Sequence, residues 1–89
     1  MSGKTAAILR RANTDFVLFV STYCPYCVRA KRILDSKRLS WADHNLSKDP
    51  ELQMDVVATT RHRTVPVIFD IRGDEPVFVG GSDDLENYL

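Results

Sequence analysis

Cys24 and Cys27 stand three positions apart in the run Cys24-Pro25-Tyr26-Cys27 and are the only cysteines of the 89-residue chain. A pair at this spacing suits redox or metal chemistry better than structural stapling, because so short a bridge closes almost no loop and removes little entropy from the unfolded chain. Zinc would need further ligands. The only two histidines, His44 and His62, lie too far from each other and from Cys27 to resemble the paired ligands of zinc modules. No metal is therefore expected, and both histidines read as surface side chains. The motif falls where an apolar run gives way to a helical pattern, so Cys24 is expected at a helix N-terminus. There, backbone N–H groups and the helix dipole favour a thiolate. Cys27 is expected one turn further on, facing inward, less exposed and less acidic. This asymmetry gives the roles: Cys24 attacks a disulfide and Cys27 resolves the adduct.

The elements that must hold this pair can be read from periodicity. Phe16 to Val20 reads FVLFV, a continuous apolar run expected to form a strand buried on both faces. Before it, Lys4 to Asn13 fits a helix with Ala7, Ile8, Arg11 and Ala12 at helical spacing. After the cysteines, Cys27 to Arg38 predicts an amphipathic helix with Cys27, Ala30, Ile33 and Leu34 inward. Leu39 to Leu46 predicts a short strand. Asp49 and Pro50 form a helix start, with Leu52, Val56 and Val57 inward and an end near Thr59 or Thr60. Val65 to Ile71 and Pro76 to Val79 predict a hairpin around Arg72, Gly73, Asp74 and Glu75, and Ser82 is expected to cap a last helix. The order α, β, α, β, α, β, β, α predicts an α/β domain spanning 1–89: a four-stranded mixed sheet flanked by helices.

Composition narrows the function classes. Forty-four per cent apolar residues supply one modest core. No stretch approaches the roughly 18 apolar residues of a membrane span, and the N-terminal residues carry no apolar export segment. A cytoplasmic protein with no membrane role is expected. Twelve basic and twelve acidic residues give a formal net charge of zero, which offers no argument for nucleic acid. The charges are segregated: residues 1–48 carry a balance of +6 and residues 49–89 a balance of −6. The halves are expected to neutralise each other across the surface; the alternative is a basic collar around the cysteines that attracts an anionic thiol.

Taken together, Cys24-Pro25-Tyr26-Cys27, Thr64-Val65-Pro66 and Gly80-Gly81-Ser82-Asp83-Asp84-Leu85 resemble the glutaredoxins, small thioredoxin-like proteins that use glutathione. The resemblance covers residue 15 onward. It implies a cis bond before Pro66, with the Val65 backbone pairing to the glutathione cysteine as an added strand would. It also implies that the N–H groups of Ser82 and Asp83, beside Gly81, take the γ-glutamyl carboxylate while the Asp83 side chain meets the glutamyl ammonium. Tyr26 would flank the tripeptide, and Gln53 and Arg63 would meet its glycine carboxylate. The activity so implied is glutathione-dependent reduction of protein disulfides and glutathione mixed disulfides through Cys24 and Cys27. Glutathione would be the co-substrate, disulfide-containing proteins such as ribonucleotide reductase the partners, and the protein a monomer.

Three features depart from the family pattern. Ser21 stands where a lysine usually precedes the first cysteine by three residues. The hairpin between Pro66 and Gly80 is longer than usual, and the chain stops at Leu89, short of the longer terminal helix of many relatives. The missing lysine keeps open a thioredoxin-like electron donor recycled by a flavin-dependent reductase. A glutathione-ligated iron–sulfur carrier is a further alternative, against which Pro25 argues, since cluster-binding members of the family usually have serine or glycine there.

Overall fold

The computed structural model describes residues 3–89. Its elements are α1 (Lys4–Arg11), β1 (Phe16–Val20), α2 (Pro25–Ser36), β2 (Trp41–Asn45), a 3₁₀ turn (Leu46–Lys48), α3 (Pro50–Thr60), β3 (Val67–Asp70), β4 (Val77–Gly80) and α4 (Ser82–Tyr88). The strands form one mixed sheet in the order β2-β1-β3-β4. Strand β1 runs parallel to β2 and antiparallel to β3, and β3 is antiparallel to β4. The expected four-stranded mixed sheet between helices is therefore present.

All five residues of β1 are buried, which is why its run is continuous rather than alternating. Successive side chains enter different cores. Val17 and Phe19 pack with Leu9, Leu46, Leu52 and Val56, so α1 and α3 cover one face. Phe16, Leu18 and Val20 pack with Cys27, Ala30, Leu34 and Leu85, so α2 and α4 cover the other. Removing a ring such as Phe19 from this centre would cost about 3–5 kcal/mol. The register pairs Phe19 with Val67 and Phe16 with Asp70. The residues after Val20, before Val67 and after Gly80 therefore converge at one end of the sheet. The longer hairpin lies at the other end, about 13 Å away along β1.

Element boundaries moved for local reasons. The buried face of α1 is Thr5, Ala6 and Leu9 rather than the face centred on Ala7 and Arg11, because the helix docks on α3 and ends at Arg11. Helix α2 starts at Pro25, since Cys24 is its N-cap, and closes at Ser36 as Arg38 turns to a φ of 59°. Strand β2 stops at Asn45, whose side chain accepts from Ser47 N–H at 2.8 Å and starts the 3₁₀ turn. Helix α3 begins as expected: Asp49 accepts from Leu52 N–H at 3.1 Å and Pro50 opens the first turn. Its Val57 is only half-buried. Strand β3 is shorter than expected, starting at Val67, and β4 runs to Gly80.

The segregated charges meet across the fold. Lys4 pairs with Glu51 at 3.1 Å, and Arg29 pairs with Asp83 and with Glu86, the latter at 2.5 Å. At the hairpin end, the carboxylate of Asp70 is buried and receives Arg72 through Nε at 3.0 Å and Nη2 at 2.9 Å, together with the Tyr88 hydroxyl at 2.6 Å. The Arg72 guanidinium, more than any other neighbour, holds the Asp70 carboxyl down to about 2.

Candidate active site

Cys24 is the N-cap of α2, with extended backbone angles. Its Sγ accepts from Cys27 N–H at 3.1 Å, and its carbonyl oxygen accepts from Cys27 N–H at 3.0 Å and Val28 N–H at 3.2 Å. One helix-terminal donor, the Cys27 N–H, is thus shared between the Cys24 carbonyl oxygen and the sulfur. Cys24 and Cys27 are joined as a disulfide with Cα atoms 5.1 Å apart. Cys27 is 3% exposed and packs against Ala30 and Leu34, whereas Cys24 is half-buried and Tyr26 beside it is exposed. An incoming disulfide meets Cys24 first.

The loop leading into Cys24 is held from β2. Thr22 N–H donates to Ser47 Oγ at 3.2 Å, and Asn45 Nδ2 donates to Thr22 Oγ1 at 3.3 Å. The 3₁₀ turn that the sequence concealed therefore buries Leu46 in the core and presents Ser47 to the loop.

A cleft of about 760 Å³ opens beside Cys24 and gathers Tyr26, Gln53, Arg63, Val65, Pro66, Gly81, Ser82 and Asp83. These come from four separate segments, and each was singled out in the sequence. The Val65–Pro66 bond is cis. The β1–β3 ladder begins at Val67, so Val65 flanks the sheet without belonging to its register. Among the described residues Arg63 is the only Lys or Arg of the lining, and the lining's acids, Asp83 and Asp84, come from α4. Because α3 and α4 cover opposite faces of the sheet, Gln53 and Asp83 approach the cleft from opposite sides.

The α4 side differs from expectation. Gly81, not Ser82, is the N-cap: its N–H donates to Asp84 Oδ2 at 2.8 Å and its carbonyl oxygen accepts from Leu85 N–H at 2.9 Å. Ser82 is inside the first turn and buried, with Oγ accepting from Arg29 Nη1 at 3.3 Å. The same Arg29 nitrogen donates to the Asp83 carboxylate, which hydrogen-bonds a guanidinium while its side chain stays 84% exposed. Gly80 has a φ of 119°, and a Cβ there would lie 2.3 Å from Asp84 Oδ2. Glycine lets Asp84 reach back to close the cap.

Three residues at or beside the cleft have contacts that the sequence reading did not assign to them. His62 is not a free surface side chain: it lines the cleft, with Nε2 3.0 Å from Thr64 Oγ1 and its ring 5.6 Å from that of Phe78. Asp84 had a legible signal, an acid three residues after the cap. Arg29 had none, since its partners lie 53 to 57 residues away. Among the described residues no cluster of three or more His, Cys, Asp or Glu side chains could hold a metal ion.

Chemically, the site couples a half-buried sulfur at a helix N-terminus to a buried second sulfur within bonding distance. That arrangement is able to exchange disulfides. Comparison with known proteins agrees. The family profile described as Glutaredoxin matches residues 16–75. A rice chloroplastic protein, Glutaredoxin-C4, is 40% identical over 76 residues, covering 82% of this chain and 54% of its own length. The hybrid peroxiredoxin hyPrx5 of Haemophilus influenzae is 39% identical over 86 residues, covering 97% of this chain and 34% of its own. The chain thus spans about half and about a third of these two relatives. Among solved structures, the dithiolic glutaredoxin 2-C-Grx1 of Trypanosoma brucei brucei superposes with a TM-score of 0.78 at 29% identity, covering 97% of this chain and 86% of that one. A buckwheat glutaredoxin–glutathione complex gives 0.72 at 27% identity, covering 92% and 78%. The chain belongs to the glutaredoxin family, and Cys24 and Cys27 form the disulfide-bonded pair of its Cys-Pro-Tyr-Cys motif.

Proposed function

We infer that this protein is a glutathione-dependent thiol–disulfide oxidoreductase that reduces protein disulfides and glutathione mixed disulfides in a reducing, cytoplasm-like compartment. The observation that carries this reading is the single cleft beside Cys24 in which Arg63, the Val65 main chain and the start of α4 lie together. A zwitterionic tripeptide offers complementary groups to each: a carboxylate to Arg63 and Gln53, a backbone to Val65, and an amino-acid head to Gly81, Ser82 and Asp83. Tyr26 would shield one side. The buckwheat relative, whose structure is that of a glutathione complex, supports the assignment.

In the reaction, the Cys24 thiolate attacks one sulfur of the substrate disulfide; that S–S bond breaks, and the other sulfur leaves as a thiolate and takes a proton from water. With a glutathione mixed disulfide, Cys24 retains the glutathionyl group, and a second glutathione thiolate displaces it as glutathione disulfide. With a protein disulfide, Cys27 loses its proton and attacks Cys24 Sγ, releasing the second substrate thiol and forming the Cys24–Cys27 bond seen here. Two glutathione molecules then restore the dithiol, being oxidised to one glutathione disulfide. An assay coupling glutathione and glutathione reductase to a small mixed disulfide tests the reading. Turnover there, with none from thioredoxin reductase alone, is the expected result; the reverse pattern would assign the protein to the flavin-reductase route instead.

A further inference from the structure

Helix α3 turns two faces in opposite directions. Leu52 and Val56 enter the core, while Met54, Val57 and Ala58, at i, i+3 and i+4, share the outer face. That face is apolar, and Met54 is 74% exposed. With Gln53 and Arg63 it forms a shallow trough of about 480 Å³, which extends over Val57 and Ala58 to Arg61 in an adjoining hollow of about 460 Å³. Gln53 and Arg63 also line the cleft beside Cys24, so the trough continues the cleft.

Its charge is one-sided. Lys4, Arg29, Lys31 and Arg72 each pair with a carboxylate, but among the described residues none lies within salt-bridge distance of Arg61 or Arg63. Among the described residues no acid lines the trough. An apolar floor with two unpaired arginines at its rim is complementary to an acidic, partly apolar peptide segment.

We propose that this trough receives the segment of a protein substrate that follows its reactive cysteine, and that it favours segments carrying an apolar and an acidic side chain within about four residues of that cysteine. The direction rests on the glutathione reading above, in which the residue after the cysteine meets Gln53 and Arg63. Glutathione ends there; a polypeptide continues. Gln53 to Arg61 spans about 12 Å of helix rise, which an extended chain covers in about four residues. Small mixed disulfides leave the trough empty, so it acts on protein substrates alone.

The test uses two synthetic peptides with the same internal disulfide, one followed by Ala-Leu-Glu-Asp and the other by Ala-Ser-Lys-Lys. Wild type is expected to reduce the acidic peptide with a kcat/KM at least about fivefold higher, and the preference to shrink as salt rises. In the double variant Met54→Ser, Arg61→Gln the preference should disappear while turnover of a small glutathione mixed disulfide is unchanged, which also shows that the variant is folded. Equal rates on both peptides with wild type, or a preference that survives in the variant, would overturn the proposal. Failure of wild type to turn over the small glutathione substrate would sink the glutathione reading separately, since the peptide preference is measured with dithiothreitol as reductant.

Discussion

The backbone N–H of Cys27 lies 3.1 Å from Cys24 Sγ, so the residue that the proposed reaction uses to resolve the adduct also donates a hydrogen bond to the sulfur proposed to attack. Serine at position 27 keeps this N–H, whereas serine at position 24 removes the nucleophile. Cys24→Ser is expected to abolish every thiol-transfer reaction. Cys27→Ser should retain removal of glutathione from mixed disulfides and lose reduction of protein disulfides. Measuring both substrates in both variants checks this, and equal loss of deglutathionylation in the two would reverse the roles.

Ser21 lines the cleft, where Arg63 is the only Lys or Arg among the described residues. Ser21→Lys adds a second positive charge near the sulfur and near the carboxylate end of the cleft, so the Cys24 thiol should titrate lower and the glutathione KM should fall. The gain in thiolate at a fixed pH should be at most about tenfold. Thiolate absorbance near 240 nm against pH reads the first effect and steady-state kinetics the second. No fall in either would show that a cation at position 21 reaches neither group.

Asp83 is exposed yet already engaged by Arg29. Asp83→Ala should raise the KM for glutathione-containing substrates by about two- to fivefold, the size of an exposed ionic contact, with little change in kcat. An unaltered KM would mean that this carboxylate serves only the packing of α4 on α2.

Gly80→Ala should lower stability by about 1–3 kcal/mol, because it forces a Cβ onto a φ of 119° and against Asp84 Oδ2. Asp84→Ala should cost about 1 kcal/mol by opening the cap of α4. Thermal unfolding of both variants measures this, and the two losses should not add, since each disturbs the same cap.

Asp70 sets an acid limit. Its carboxyl is held down to about 2 in the folded protein, chiefly by Arg72, against about 4 in an unfolded chain. The folded state thus binds fewer protons, and the stabilisation is fully present above pH 4 and lost as pH falls toward 2. It amounts to about 2.5 kcal/mol. Asp70→Asn should be less stable at pH 7 and show a shallower loss of stability between pH 4 and 2, as read by urea unfolding at each pH. A parallel pH profile in the two proteins would place the acid sensitivity elsewhere.

Local pattern alone determined the element order, the central strand and the placement of the two thiols. FVLFV has no polar position to expose, Asp49-Pro50 caps and opens a helix by local hydrogen bonding, and Cys-x-x-Cys at a strand-to-helix junction places one sulfur at the helix end and the other a turn inside. The three motifs Cys24–Cys27, Thr64–Pro66 and Gly80–Leu85 were visible as strings, but that they share one cleft follows only from the register pairing Phe19 with Val67. Other features depended on packing from the start. Asn45 and Ser47 ended β2 early through a local turn whose purpose, holding Thr22, lies 25 residues back. Gly81 rather than Ser82 caps α4, and the Ser82 hydroxyl instead accepts from Arg29, which reaches across from α2. A side chain's choice between a neighbour in sequence and one 53 residues away is decided by the distance between helices, and that distance is fixed only when both pack on the same face of the sheet.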